Sequence, residues 1–160
     1  MDETAQQMGD SGHGIKIYPP VLAGILLLAG LVLHLLGHHH HRAVHFHGLL
    51  GLLLVAAGAG LSAYAAALFT ARDTTKDPYG QPVAFVTIAP YTFTRNPMYL
   101  GLMTILLGFA IFFFSPVMLL APLGFFLVID RMIISREELA LERTFGSAYL
   151  DYQRRVRRWL

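Results

Sequence analysis

The chain has 160 residues, of which 55% are hydrophobic and 14% charged, and its formal charge is +2. An average soluble domain carries roughly 25% charged residues, so the composition points to a small integral membrane protein and leaves length for one domain. Cysteine is absent, which excludes disulfides, thiolate-zinc sites and a cysteine nucleophile.

The chain opens on a polar, glycine-containing stretch, and residues 1–17 are expected to be a disordered tail. Residues 18–160 form the single predicted domain. Tyr18 to Gly37 is uncharged apart from His34 and long enough to cross roughly 30 Å of hydrocarbon as a helix. This first apolar segment reads as a retained span, because it is long, is followed by others and lacks the several basic residues of a signal-peptide n-region before it. A polar break follows at HHHHRAVHFH. The second predicted span covers about 48–70, where Gly48, Gly51, Gly58 and Gly60 alternate with leucine and alanine, a pattern that lets helices approach closely inside a bundle.

From Arg72 to Arg95 the charges and the prolines Pro78, Pro82 and Pro90 rule out a continuous helix in lipid. The apolar run that starts at Pro97 is broken at Ser115-Pro116, and its length suits two spans, about 97–114 and 116–134, joined by a tight turn. Beyond it, Leu139, Leu141, Phe145, Tyr149, Tyr152, Val156 and Trp159 alternate with charges, which predicts an amphipathic helix over 136–160 on the membrane surface. The expected fold is therefore all-α and integral to the membrane, with about four transmembrane helices in two hairpins and a C-terminal surface helix. Lys16, Arg72, Lys76, Arg95 and the C-terminal arginines fall on one side, so the positive-inside rule places both termini in the cytoplasm.

The second hairpin brings two polar clusters together. Arg95, Asn96 and Tyr99 stand where the chain leaves the cytoplasmic surface, and Glu137 and Glu138 where it returns. Such a set can hold a zwitterionic amino-acid moiety, with cationic or amide donors on its carboxylate and an acidic side chain on its ammonium. The rings of Tyr91, Phe93 or Tyr99 could stabilise a sulfonium, so a methionine-derived methyl donor fits. The same residues also fit a plainer account, in which arginine and tyrosine anchor helix ends and the glutamates start a surface helix. Spacing alone leaves both open.

At these positions the chain resembles the isoprenylcysteine carboxyl methyltransferase and phospholipid N-methyltransferase superfamily of membrane methyltransferases. The matching text is TTKDPYGQPVAFVTIAPYTFTRNPMYLG, then an apolar hairpin, then EELALERTFGSAYLDYQRRVRRW, covering Thr74 to Trp159. The resemblance implies a pocket for S-adenosylmethionine formed by Tyr91, Arg95, Asn96, Pro97, Tyr99, Gly101, Glu137 and Glu138, together with Leu141 or its neighbour Leu139. It further implies a lipophilic acceptor that enters from the bilayer, and a closing helix at Phe145-Gly146, Tyr149 and Tyr152. Arg95 and Glu138 are the candidates for substrate positioning, and no general base is assigned. Asn96 stands where the eukaryotic prenylcysteine enzymes have histidine, so a prenylcysteine-like carboxylate, a lipid amine and a small thiol all remain as acceptors. The source implied by the short chain is a bacterial or archaeal inner membrane.

Two other functions are weighed. Sterol reductases that use NADPH share a related membrane core, but the larger dinucleotide needs more contact surface than this chain offers. A non-catalytic scaffold or metal-handling protein would use the histidine run, with His38, His41 and His45 as ligands; an interfacial loop without a resident metal is the simpler account of those residues. Asp130 and Arg131 fit either a pocket or an ion pair near the end of the last span. The C-terminal arginines suit anionic lipid headgroups rather than nucleic acid.

Overall fold

A computed structural model describes residues 17–37, 46–71 and 85–160. Residues 1–16, the candidate ligands His38, His41 and His45, and most of the central loop, with Arg72 and Lys76, lie outside the described residues. The described residues form helices and no strands: α1 (Pro19–Leu36), α2 (Phe46–Thr70), α3 (Pro97–Phe112), a 3₁₀ turn (Pro116–Leu119), α4 (Leu120–Val128), a π-helical turn (Ile129–Ile134), α5 (Ser135–Phe145) and α6 (Ser147–Arg155).

Among the described residues, three helical runs are long and apolar enough to cross a membrane: Pro19–Leu36, His47–Thr70 and Pro116–Phe145. α3 is shorter, at 16 residues. Proline begins both α1 and α3, a position where its missing N–H costs no helical hydrogen bond. The chain turns between α3 and α4 where expected. Phe114 takes a left-handed φ of 47°, and the Ser115 amide donates to the Ala110 carbonyl at 3.0 Å.

The second predicted hairpin forms, with α3 packed against the 3₁₀ turn and α4, and the helices of the first pack onto it. α1 packs against α3, α4 and the 3₁₀ turn, whereas α2 packs chiefly along α3. Glycine explains the second contact. A β-carbon on Gly58 would lie 2.6 Å from the Gly101 carbonyl oxygen, one on Gly101 would lie 2.6 Å from the Gly58 carbonyl oxygen, and one on Gly108 would lie 2.8 Å from that of Gly51. The pairs 51 with 108 and 58 with 101 set an antiparallel register in which backbone touches backbone. The rest of α2 is not packed inside a bundle as its composition suggested. Leu49, Leu52, Leu53 and Tyr64 are exposed, and a β-carbon on Gly60 would meet nothing.

The last apolar arm also runs further than expected. The helical run from Pro116 continues to Phe145 over 30 residues, a rise of about 45 Å against roughly 30 Å of hydrocarbon. The charged α5 therefore projects clear of the hydrocarbon. The surface helix predicted over 136–160 is instead two helices separated at Gly146, whose φ of 55° suits glycine, followed by an extended end from Val156.

The glycine register makes a contrast that thermal unfolding in detergent can measure. Gly58→Ala should lose about 1–3 kcal/mol through overpacking, whereas Gly60→Ala should be neutral or gain up to ~1 kcal/mol of helix propensity. Equal effects at the two positions would show that the close contact does not hold α2 and α3 together.

Candidate functional site

The loop before α3 is fixed from both sides. Tyr91 is buried with Val86 against Ala65, Leu68, Phe69 and Met98, its ring 5.5 Å from that of Phe69. Its hydroxyl donates to the Ala65 carbonyl at 3.4 Å, and its own carbonyl accepts from the Tyr152 hydroxyl at 2.7 Å. Tyr149, Tyr152 and Val156 cluster with Phe85, Leu141 and Phe145, so α6 closes over the loop. Burial pushes the phenols of Tyr91, Tyr149 and Tyr152 up, which keeps them protonated donors. Tyr91, expected at the donor pocket, is thus a packing residue that ties the loop to α2. Phe93 is 74% exposed and offers no enclosed aromatic face.

Arg95, Asn96, Tyr99, Glu137 and Glu138 do converge. Arg95 Nη1 lies 3.2 Å from Glu138 Oε1, with side-chain exposures of 13% and 12%. The Tyr99 hydroxyl donates to Glu137 Oε1 at 2.5 Å. The adjacent glutamates therefore divide: Glu138 turns to the guanidinium and Glu137 to the phenol on α3. Arg95 Nε is buried and has no hydrogen-bond partner among the described residues, and Nη1 faces Glu138 without hydrogen-bond alignment. A buried guanidinium with unmatched N–H groups is a costly arrangement that suits an incoming anionic group. Pro97 is buried as the first residue of α3. Gly101, expected near the donor, instead faces α2 in the glycine contact.

The chain's end completes the cluster, which the sequence reading missed. From Val156 the backbone runs back as a strap over the loop: the Arg95 amide donates to the Arg157 carbonyl at 2.9 Å, and the Arg158 carbonyl accepts from Thr94 Oγ1 at 3.1 Å and Asn96 Nδ2 at 2.9 Å. Asn96 thus holds the strap. Arg158, expected on lipid headgroups, turns inward, with Nε 3.2 Å from Glu138 Oε1, Nη2 2.5 Å from Oε2 and Nη1 3.3 Å from Asp130 Oδ1. The hydrogen bonds that it donates to Glu138 and Asp130 hold its guanidinium in the charged form. Trp159 Nε1 donates to Asp130 Oδ1 at 2.9 Å, whereas Arg131, 80% exposed, is 3.7 Å from Asp130.

The π turn explains how Asp130 and Glu138 share one arginine. Residues eight apart in an unbroken α-helix differ in bearing by about 80°. The extra residue of a π turn reduces the effective separation to about seven, or roughly 20°. A carboxylate in an apolar run needs a buried partner; Arg131 beside Asp130 is exposed, and Arg158 and Trp159 supply that partner from the far end of the chain.

Burial pushes the Glu137 carboxyl from 4.5 up to about 7, the hydrogen bond from Tyr99 opposes the shift, and the charge of Glu138 adds to it. The folded protein then holds a proton at Glu137 that the unfolded chain has lost, so stability should fall as pH rises from 4.5 to about 7. Glu137→Gln, which still offers Tyr99 an oxygen, should flatten that part of the thermal midpoint against pH. An unaltered slope would place the proton elsewhere.

The family model described as phospholipid methyltransferase matches residues 46–148, from the start of α2 into α6. An uncharacterised protein of Haemophilus influenzae is 43% identical over 63 residues, which cover 39% of this chain and 100% of that protein. Decaprenyl-phosphate N-acetylglucosaminephosphotransferase of Mycobacterium tuberculosis is 31% identical over 99 residues, 62% of this chain but only 23% of that protein. No solved structure matches. With its apolar spans and a family match over more than half its length, the chain belongs to the phospholipid methyltransferase family and is an integral membrane methyltransferase.

Proposed function

We propose that the protein transfers a methyl group from S-adenosylmethionine to a lipophilic, membrane-embedded acceptor, with the donor held at the mouth formed by Arg95, Tyr99, Glu137 and Glu138. The observation that carries this reading is the buried Arg95 guanidinium, which keeps unmatched N–H groups beside a buried carboxylate in a chain of this family. Those N–H groups fit the carboxylate of an amino-acid moiety, and the acidic side supplies the opposite charge for its ammonium.

When bound, S-adenosylmethionine supplies a methyl carbon activated by a sulfonium. The protein's share is alignment and exclusion of water. Arg95 and Glu138 orient the amino-acid end, Tyr99 and Glu137 hold the α3 side to α5, and the apolar packing of Tyr99, Ile129 and Ile133 with Leu102 and Met98 keeps the adjoining region dry. With the donor held there by Arg95 and Glu138, a lone pair on the acceptor would form a bond to the methyl carbon in line as the carbon–sulfur bond breaks and S-adenosylhomocysteine leaves, and no residue is assigned as a general base. The phosphotransferase relative's activity is not carried over, because this chain spans less than a quarter of that protein.

In the bilayer, the end of the long helix with Arg131, Arg136, Arg143, Arg154, Arg155 and Arg157 faces the cytoplasm under the positive-inside rule. The exposed Arg154, Arg155 and Arg157 are placed to meet anionic lipid. Arg158 does not join them.

Equilibrium binding to the detergent-purified protein tests the donor site. S-adenosylmethionine and S-adenosylhomocysteine should bind, and NADPH should not. Arg95→Ala and Glu138→Ala should each weaken binding more than about tenfold by removing a charged hydrogen-bond partner, with the fold retained. NADPH binding in place of the adenosyl ligands, or unchanged affinity in both variants, would overturn the assignment.

A further inference from the structure

The strap lies beyond the residues matched by the family model, which end at 148. It carries the side chain that touches both Glu138 and Asp130. Arg158 grips Glu138 side-on, through Nε to Oε1 and Nη2 to Oε2, while its remaining nitrogen reaches Asp130. Its backbone carbonyl is held at the same time by Thr94 and Asn96. The next residue repeats the anchoring, since Trp159 donates to the same Asp130 oxygen and packs its ring, tilted by 47°, 5.3 Å from that of Phe126.

A surface ion pair of long side chains contributes little, and Arg158 is 34% exposed. Its partners decide the matter otherwise: Glu138 and Asp130 are 12% and 16% exposed, and a carboxylate so enclosed is tolerated only when its oxygens are engaged. Glu138 has both oxygens occupied by Arg158, and its Oε1 lies 3.2 Å from Arg95 Nη1 without hydrogen-bond alignment. The free hydrogen-bonding capacity of the mouth therefore sits on Arg95 and not on Glu138. Two guanidiniums and two carboxylates, Arg95 and Arg158 against Glu138 and Asp130, also cancel in charge, so a zwitterionic group enters without unbalancing the cluster.

We propose that Arg158 is a positioning residue of the donor site: anchored on Asp130 by the strap, it fixes Glu138 so that this carboxylate orients Arg95 and leaves the Arg95 N–H groups for the donor's carboxylate. The inference rests on the donor-site reading above. Lysine cannot do the same work, because a single ammonium cannot span both oxygens of Glu138 and reach Asp130.

The test is binding of S-adenosylhomocysteine to the full-length protein in detergent, with 5′-methylthioadenosine, which lacks the amino-acid moiety, as competitor. Arg158→Lys should keep the thermal midpoint and weaken S-adenosylhomocysteine about tenfold, while 5′-methylthioadenosine competes as in the unaltered protein. Arg158→Ala combined with Glu138→Ala should bind no worse than Glu138→Ala alone, since the arginine acts through that carboxylate. Wild-type affinity in Arg158→Lys, a parallel loss of both ligands, or additive losses in the double variant would overturn the proposal. Arg95→Ala separates the two levels: if it too binds normally, the donor site itself is misplaced, whereas if it alone fails, only the role of Arg158 falls.

Discussion

Charge that has left water must be matched several times over, and that constraint organises the end of the molecule where the last hairpin opens. Arg95, Glu138 and Asp130 are each largely buried, and an unpaired ion in such a place costs several kcal/mol. Local structure answers the demand at every level. The π turn rotates Asp130 onto the face of Glu138, the break at Gly146 redirects the chain, and the extended end returns with Arg158 and Trp159. Without the returning end, both acidic residues would lose their main partners.

Away from this cluster the fold obeys a different rule. In lipid, apolar side chains gain little from leaving one apolar surroundings for another, so helices associate where shape permits close approach. α2 and α3 meet through glycine on both sides, whereas α1 is held by ordinary side-chain packing against α3 and α4, including Leu22, Leu26, Leu106 and Phe125. The small residues of α2 that point away from α3 accompany a lipid-facing surface and not a buried one.

Much of this was legible in the sequence, because periodicity, span length and proline positions are local. The helices, the turn at Ser115-Pro116 and the meeting of Arg95 with Glu138 follow from arithmetic along the chain. What could not be read depends on partners far apart. In sequence Tyr91 and Asn96 read as ligand contacts, whereas in the fold their groups go to Ala65, Tyr152 and Arg158. Gly101 reads the same way, and in the fold it gives space to Gly58. Arg158 looks like its exposed neighbours in a run of arginines, and only the returning backbone distinguishes it.

The length of the final helix carries one more implication. Glu138 follows Pro116 by about 33 Å of helix, slightly more than the hydrocarbon thickness, so the mouth sits level with the lipid headgroups. An acceptor anchored in the leaflet, of the kind proposed, would reach it by lateral diffusion without lifting its tail from the bilayer. Confinement to two dimensions raises effective concentration in the way a tether does. The protein can then hold the acceptor's head loosely, and turnover would depend on the acceptor's mole fraction in the membrane and not on its bulk concentration.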